Sequence, residues 1–361
     1  MNRNLNCDTK ILPLNTTPII TSYTHHAFLL AITTDHNSNQ DKNSLSFTGL
    51  HKENGYENWF FSNFIQMHTQ TENSDTDLPI DFFTGYTRMS YRNLCNPFLI
   101  INSIDKDLLF NLSNPISFFI NYINEGFYID IILDEYYIPN RAAYNKKNYE
   151  HQNLVYGYDK EQGIFYLYGF TDKRFFNTST ISFQQLCHAL YHSYVMTGNY
   201  YDELIFMVKY QSPAKYFNLN INVIYSFLED YLYSRNSYLR LDFCQMKEDR
   251  KYGMDVYNRI TNMIKKNPKD IRPLHLLWEH KNCMVKRINF LYQQHFFSED
   301  QYEYLLNISK SLEALALQSR NRLMKYNIDL KDNIIDLISN NMKIIKHTDK
   351  ELVYNMLKYL K

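Results

Sequence analysis

The chain has 361 residues, enough for two domains of ordinary size, and its 38 basic side chains balance its 38 acidic ones. That balance supplies no overall positive field to hold nucleic acid or an anionic membrane surface, so neutral partners or local patches are expected. No apolar run reaches the roughly 20 residues that cross a bilayer, and Cys7, Cys95, Cys187, Cys244 and Cys283 lie far apart without a Cys-x-x-Cys pair, a pattern that fits reduced thiols in a soluble, cytoplasmic protein.

In chain order, residues 1–20 carry Pro13 and Pro18 and read as an extended lead-in. The apolar run Ala27–Ile32 reads as a helix capped by Ser22, in preference to a buried strand. A polar stretch from Asp35 to Asn58 follows, and the aromatic residues of Trp59–Met67 then indicate a strand. The next helix is well marked. Asn114 can cap it, Pro115 suits its first turn, Phe118, Phe119, Tyr122 and Ile123 recur at helical spacing, and Gly126 can close it. Phe127–Leu133 reads as a strand and Asp134–Arg141 as a loop. His151–Asp159 and Ile164–Asp172 flank a polar, Gly163-containing turn as the two strands of a β-hairpin.

Beyond about residue 180 helices are expected to dominate. Ser182-Phe-Gln-Gln185 is a capping box opening a helix that holds Cys187, His188 and His192. Leu274, Leu277, Trp278, Met284, Val285, Ile288 and Leu291 form one apolar stripe, and Leu305, Ile308, Leu312 and Leu315 another. Two last helices are expected over Asn333–Lys346 and Asp349–Leu360. The chain therefore reads as α+β, with a sheet-containing domain over residues 15–180 and an all-helical domain over 181–361.

Antiparallel pairing across the hairpin places His151 beside Thr171 and Asp172. An imidazole held by a carboxylate is how nucleophilic hydrolases and acyltransferases keep a general base in the working tautomer. Asp159, at the hairpin tip, suits a turn role better.

The phrase Asp134-Glu-Tyr-Tyr-Ile-Pro-Asn-Arg141, followed by His151 and Leu154-Val-Tyr-Gly-Tyr-Asp159, resembles the N-terminal domain family of butirosin biosynthesis protein H, within the papain-like cysteine peptidases and acyltransferases. The resemblance implies a papain-like domain with an antiparallel sheet, followed by a helical part. It implies acyl transfer or amide-bond formation in natural-product assembly, from an acyl or peptidyl carrier-protein thioester to a small-molecule amine, with no cofactor. His151 is then the general base and Asp172 its orienting acid.

In that family the attacking cysteine opens the first helix, where the dipole and the histidine favour thiolate. Here the place holds Ser22-Tyr-Thr-His-His26. Ser22, Thr24 and a repositioned Cys7 stay open as nucleophiles, while Cys95 and Cys187 read as ordinary cysteines. Thr16, Thr17 and Pro18 stand where an oxyanion-stabilising glutamine is expected, so a protein that binds a carrier protein or peptide intermediate without catalysis is the competing reading.

His25 is a candidate for the cleft. Arg141 and Tyr144 are candidates for holding a carboxylate or phosphate, the alternative for Arg141 being a pairing with Asp134 or Glu135. His188 and His192 have metal-pair spacing but lack an adjacent glutamate or third ligand, and read as structural, so no metal is expected. His275, Glu279 and His280 read as the polar face of a helix. Neutral charge and amphipathic helices suit monomer or homodimer alike.

Overall fold

Among the described residues, the hairpin expected around residue 160 forms the middle of a seven-stranded sheet. The computed structural model describes residues 8–37, 55–69, 80–84, 96–110, 114–173, 175–196, 204–211, 218–240, 250–329 and 333–361. Its strands are β1 (Thr9–Ile11), β2 (Gln66–Thr69), β3 (Ile80–Phe83), β4 (Leu99–Asp105), β5 (Tyr128–Asp134), β6 (Glu150–Asp159), β7 (Ile164–Phe170), β8 (Phe176–Ser182) and β9 (Leu204–Tyr210). Its helices are α1 (Thr24–Asn37), α2 (Tyr56–Ser62), α3 (Lys106–Phe110), α4 (Pro115–Asn124), α5 (Phe183–Met196), α6 (Ile221–Leu232), α7 (Val256–Lys266), α8 (Arg272–Gln293), α9 (Glu299–Asp329) and α10 (Asn333–Tyr359).

The described residues are mixed α+β, and the division of the chain differs from a single boundary at 180. Residues Met1–Asn54 and Arg88–Tyr216 make one compact unit, and Gly55–Thr87 and Phe217–Lys361 make the other.

In the first unit the strand order is β4-β9-β5-β6-β7-β8, with β1 added to the far end of β6 and every pair antiparallel. β9 lies in the region expected to be helical, and β8 in a stretch to which the sequence pattern assigns no element. Leu204-Ile-Phe-Met-Val forms a wholly buried run and slots between β4 and β5, where a strand covered on both faces must be continuously apolar. Helix α4 forms as its residues dictate: Asn114 Oδ1 accepts from Ser117 N at 3.2 Å, and Gly126 takes φ +85° just past the end. The capping box on α5 is reciprocal, Ser182 Oγ accepting from Gln185 N and Gln185 Oε1 from Ser182 N, each at 3.1 Å. At the start of α1 the carbonyl of Tyr23 accepts from Ala27 N at 3.0 Å, so Tyr23 holds the cap position expected of Ser22.

Helices cover both faces of this sheet. Phe28 of α1 packs on Tyr168 and Phe176, with centroids 5.9 and 6.0 Å apart. On the opposite face Phe119 of α4 and Phe183 of α5 pack on Phe165 at 5.6 and 4.7 Å.

The second unit is helical around the small β2-β3 pair. Trp59–Met67, expected as a strand, is instead the helix α2 followed by β2. Gly55, at φ +69°, turns the chain into the helix, and Tyr56 meets Trp59 and Phe60 at the i+3 and i+4 spacing that only a helix provides. Phe64 then leaves in the left-handed region. The buried Arg287 donates to the carbonyls of Phe61, Asn63 and Phe64 at 2.9, 2.7 and 3.2 Å, satisfying the end of α2 from α8.

The two expected terminal helices are one, α10, with no proline or glycine to interrupt it. Asp349 in its middle is wholly buried, and its Oδ2 accepts from Lys281 Nζ (2.6 Å), Tyr231 OH (2.6 Å) and Tyr257 OH (2.8 Å). Glu279 and His280, expected on a polar face, are buried too. His280 Nε2 donates to the Ile65 carbonyl at 2.7 Å and its ring stacks on Phe82 and Tyr231. No described helix is long and apolar enough to cross a membrane.

Candidate functional site

β6 is bordered by β5 on one side and β7 on the other, and its side chains alternate between the two faces of the sheet. His151 and Asn153 start from the face opposite that of Gln152. Gln152 and Leu154 point to the α1 face. That alternation decides which sequence candidates meet.

His151 Nδ1 lies 2.9 Å from Glu135 Oε1. Glu135 stands in a short 3-10 turn directly after β5, where Asp134 caps the turn by accepting from Tyr136 N at 3.0 Å. Register explains the meeting: Leu133 pairs with His151 across β5 and β6, so the chain leaving β5 returns a carboxylate over the ring. The carboxylate is almost wholly buried, while the imidazole keeps 25 % of its side-chain surface exposed. The rings of Tyr149 and Phe170 flank it, with centroids 5.6 and 6.0 Å away.

Asp172, the acid expected for His151, acts elsewhere. Its backbone N–H donates to the Asn140 carbonyl at 3.0 Å, and its carboxylate is one of two that favour the charged form of Arg141. Burial lowers the Arg141 guanidinium below its ordinary value, and Glu135 and Asp172 oppose that shift. Arg141 has no exposed side-chain surface; its Nη2 and Nε donate to Asn153 Oδ1 at 2.9 and 3.3 Å, and its Nε stands 3.7 Å from Glu135 Oε1. The pairing with Glu135, one of the alternatives open for this residue, is therefore the one adopted. Tyr144, half-buried, donates its backbone N–H to the Arg141 carbonyl at 3.1 Å.

The nucleophile candidates do not join this cluster. Thr24 Oγ1 donates to Gln152 Oε1 at 2.5 Å, and Gln152 Nε2 donates to both oxygens of Asp130 at 2.8 and 2.6 Å, all on the α1 face. Ser22 and His25 are buried at the same end of α1, with His25 stacked on Tyr23 at 5.6 Å and tilted against His26 at 4.1 Å. Cys7 and Cys95 lie outside the described residues. The strand that follows Cys7, β1, pairs with Gly157–Asp159, at the end of β6 remote from His151. Among the described residues no hydroxyl or thiol is hydrogen-bonded to the His151 ring. Cys187 is half-buried, and burial pushes its thiol up, away from the reactive thiolate.

His188 and His192 pack around Tyr137, at centroid distances of 5.7 and 4.7 Å. Asn153, and Glu135 as the partner of His151, are what sequence reasoning missed. The signal was present in Phe127–Leu133, a second strand neighbour whose exit carries two carboxylates. No protein-family model matches the chain, and no curated protein matches it.

Proposed function

We propose that the first unit is a papain-like domain of the butirosin biosynthesis protein H type that works in the cytoplasm without a covalent intermediate. It binds the acyl or peptidyl thioester of a carrier protein in natural-product assembly. The observation that carries this reading is the neighbourhood of His151. Its Nδ1 is taken by Glu135, aromatic rings flank it, and the Thr24 hydroxyl donates to Gln152 on the opposite face. A flat aromatic wall beside a polar handle suits an acyl-pantetheine arm.

The test is incubation with a synthetic acyl-pantetheine thioester, followed by calorimetric titration and intact mass spectrometry. Saturable binding with no gain of mass is expected, and His151→Ala should weaken it about tenfold, the equivalent of one hydrogen bond to a charged pair. A stable acyl adduct on Thr24, Ser22 or Cys7 overturns the reading.

A second reading is favoured by the dyad itself, since Glu135 meets the imidazole at Nδ1 and leaves Nε2 outside that contact, on a ring that keeps 25 % of its side-chain surface exposed. In that reading His151 takes the proton of an amine acceptor as the amine nitrogen attacks the thioester carbonyl. The C–S bond breaks and the departing thiolate recovers the proton. Amide product that depends on His151, again without a protein adduct, distinguishes this from binding alone.

A further inference from the structure

We infer that Arg141 is a positioning residue for His151, holding the Glu135 carboxylate where it fixes the imidazole with its proton on Nδ1 and its lone pair on Nε2. The inference concerns the imidazole itself and stands whichever ligand the site takes.

The contacts form a closed loop. His151 Nδ1 meets Glu135 Oε1 at 2.9 Å; the same oxygen is 3.7 Å from Arg141 Nε; Arg141 donates twice to Asn153 Oδ1; and Asn153 Nδ2 donates to the His151 carbonyl at 3.0 Å. The loop begins and ends on one residue, so the ring's orientation relative to its own backbone is set by Arg141 and its two neighbours. Space for the guanidinium comes from Gly169, opposite Asn153 on β7. A Cβ built there would stand 3.2 Å from Arg141 Nη2 and 3.3 Å from Asn153 Oδ1.

The charges agree with the geometry. The guanidinium sets a fixed positive charge 3.7 Å from the same carboxylate oxygen that meets the ring. Arg141 Nη1 is buried and makes no hydrogen bond among the described residues.

The experiment is ring nitrogen NMR of His151 in the full chain at one neutral pH, which reports the tautomer directly. The parent protein should show the Nδ1–H form. Arg141→Gln should shift the ratio of tautomers toward Nε2–H by about threefold, the equivalent of losing an ion pair that is close but not hydrogen-bonded. Glu135→Gln should do the same, and Arg141→Gln placed on top of Glu135→Gln should add nothing, because Arg141 acts through Glu135. Should Arg141→Gln fail to fold, Gly169→Ala crowds Arg141 Nη2 and Asn153 Oδ1 by a few tenths of an ångström while keeping the charge, and should move the ratio in the same direction. An unchanged ratio in folded Arg141→Gln or Gly169→Ala, or an additive effect in the double variant, overturns the inference.

Discussion

At the scale of single residues, alternation along β6 separates two polar systems that the sequence had merged. His151 belongs with Glu135, Arg141 and Asn153, and Thr24 belongs with Gln152 and Asp130. Thr24→Ala should therefore leave ligand binding within about twofold of the parent while costing about 1 kcal/mol of stability, the net value of one buried hydrogen bond. Calorimetric titration and urea denaturation measure the two effects, and a Thr24→Ala protein that no longer binds would join the two systems again. The histidine and its strand were legible from the hairpin alone. Its partner was not, because a central strand has two neighbours and hairpin arithmetic considers only the one across the turn. Asp172 does lie past the end of β7, at the position extrapolated across from Glu150, yet the carboxylate that reaches the ring arrives from the β5 side.

At the scale of elements, caps and hairpins were readable because their signals are local. Asn114 with Pro115, and Ser182 with Gln185, each satisfy backbone groups within a few residues. The helix α2 was not readable, since the group that completes its end, Arg287, comes from more than 200 residues away. Burial pushes the Arg287 guanidinium down to about 10, and still it replaces the solvent that three carbonyls would otherwise need. Arg287→Met should destabilise the protein by about 3 kcal/mol, measured by urea denaturation, because those carbonyls stay buried without a donor. A backbone approach is equally strict at Gly253, at φ +50°, where an added Cβ would lie 2.1 Å from the Tyr231 carbonyl oxygen. Gly253→Ala should yield little folded protein.

His280 gives the same region a defined acid response. Burial, aided by Lys281 and Arg287, holds its imidazole well below the ordinary value, so it stays neutral in the folded state. The unfolded chain takes up that proton below about pH 6.5, and stability should fall as pH drops through this window by up to about 1.4 kcal/mol per unit. Denaturation midpoints across pH 4.5–7 test the slope, and His280→Gln, which retains a donor for Ile65, should flatten it.

At the scale of the whole molecule, a cut at residue 180 would remove both α5 and β9, leaving β4 without its partner and β5 with one side open. The fragment 1–180 should therefore lack the dispersed amide spectrum of a folded sheet, although the onset of helical patterning places a boundary there. The second unit is centred on Lys281 and Asp349, both wholly buried, with Tyr231 and Tyr257 drawing α6 and α7 to the same oxygen. Lys281→Met should cost about 3–5 kcal/mol, whereas replacing Lys281 and Asp349 together with apolar residues should recover most of that loss. Denaturation of the single and double variants decides it.

The interleaved order of the two units also has a timetable. The chain supplies the first unit, then the second, then the first, then the second again, so α2 and the β2-β3 pair are made long before α6–α10. At roughly 5–20 residues per second of synthesis, Trp59, Phe60 and Phe61 wait on the order of ten seconds for Arg287 and Phe290 to leave the ribosome. For that interval a cluster of aromatic rings has no native cover, and a nascent chain of this kind is one that a holding chaperone would meet early.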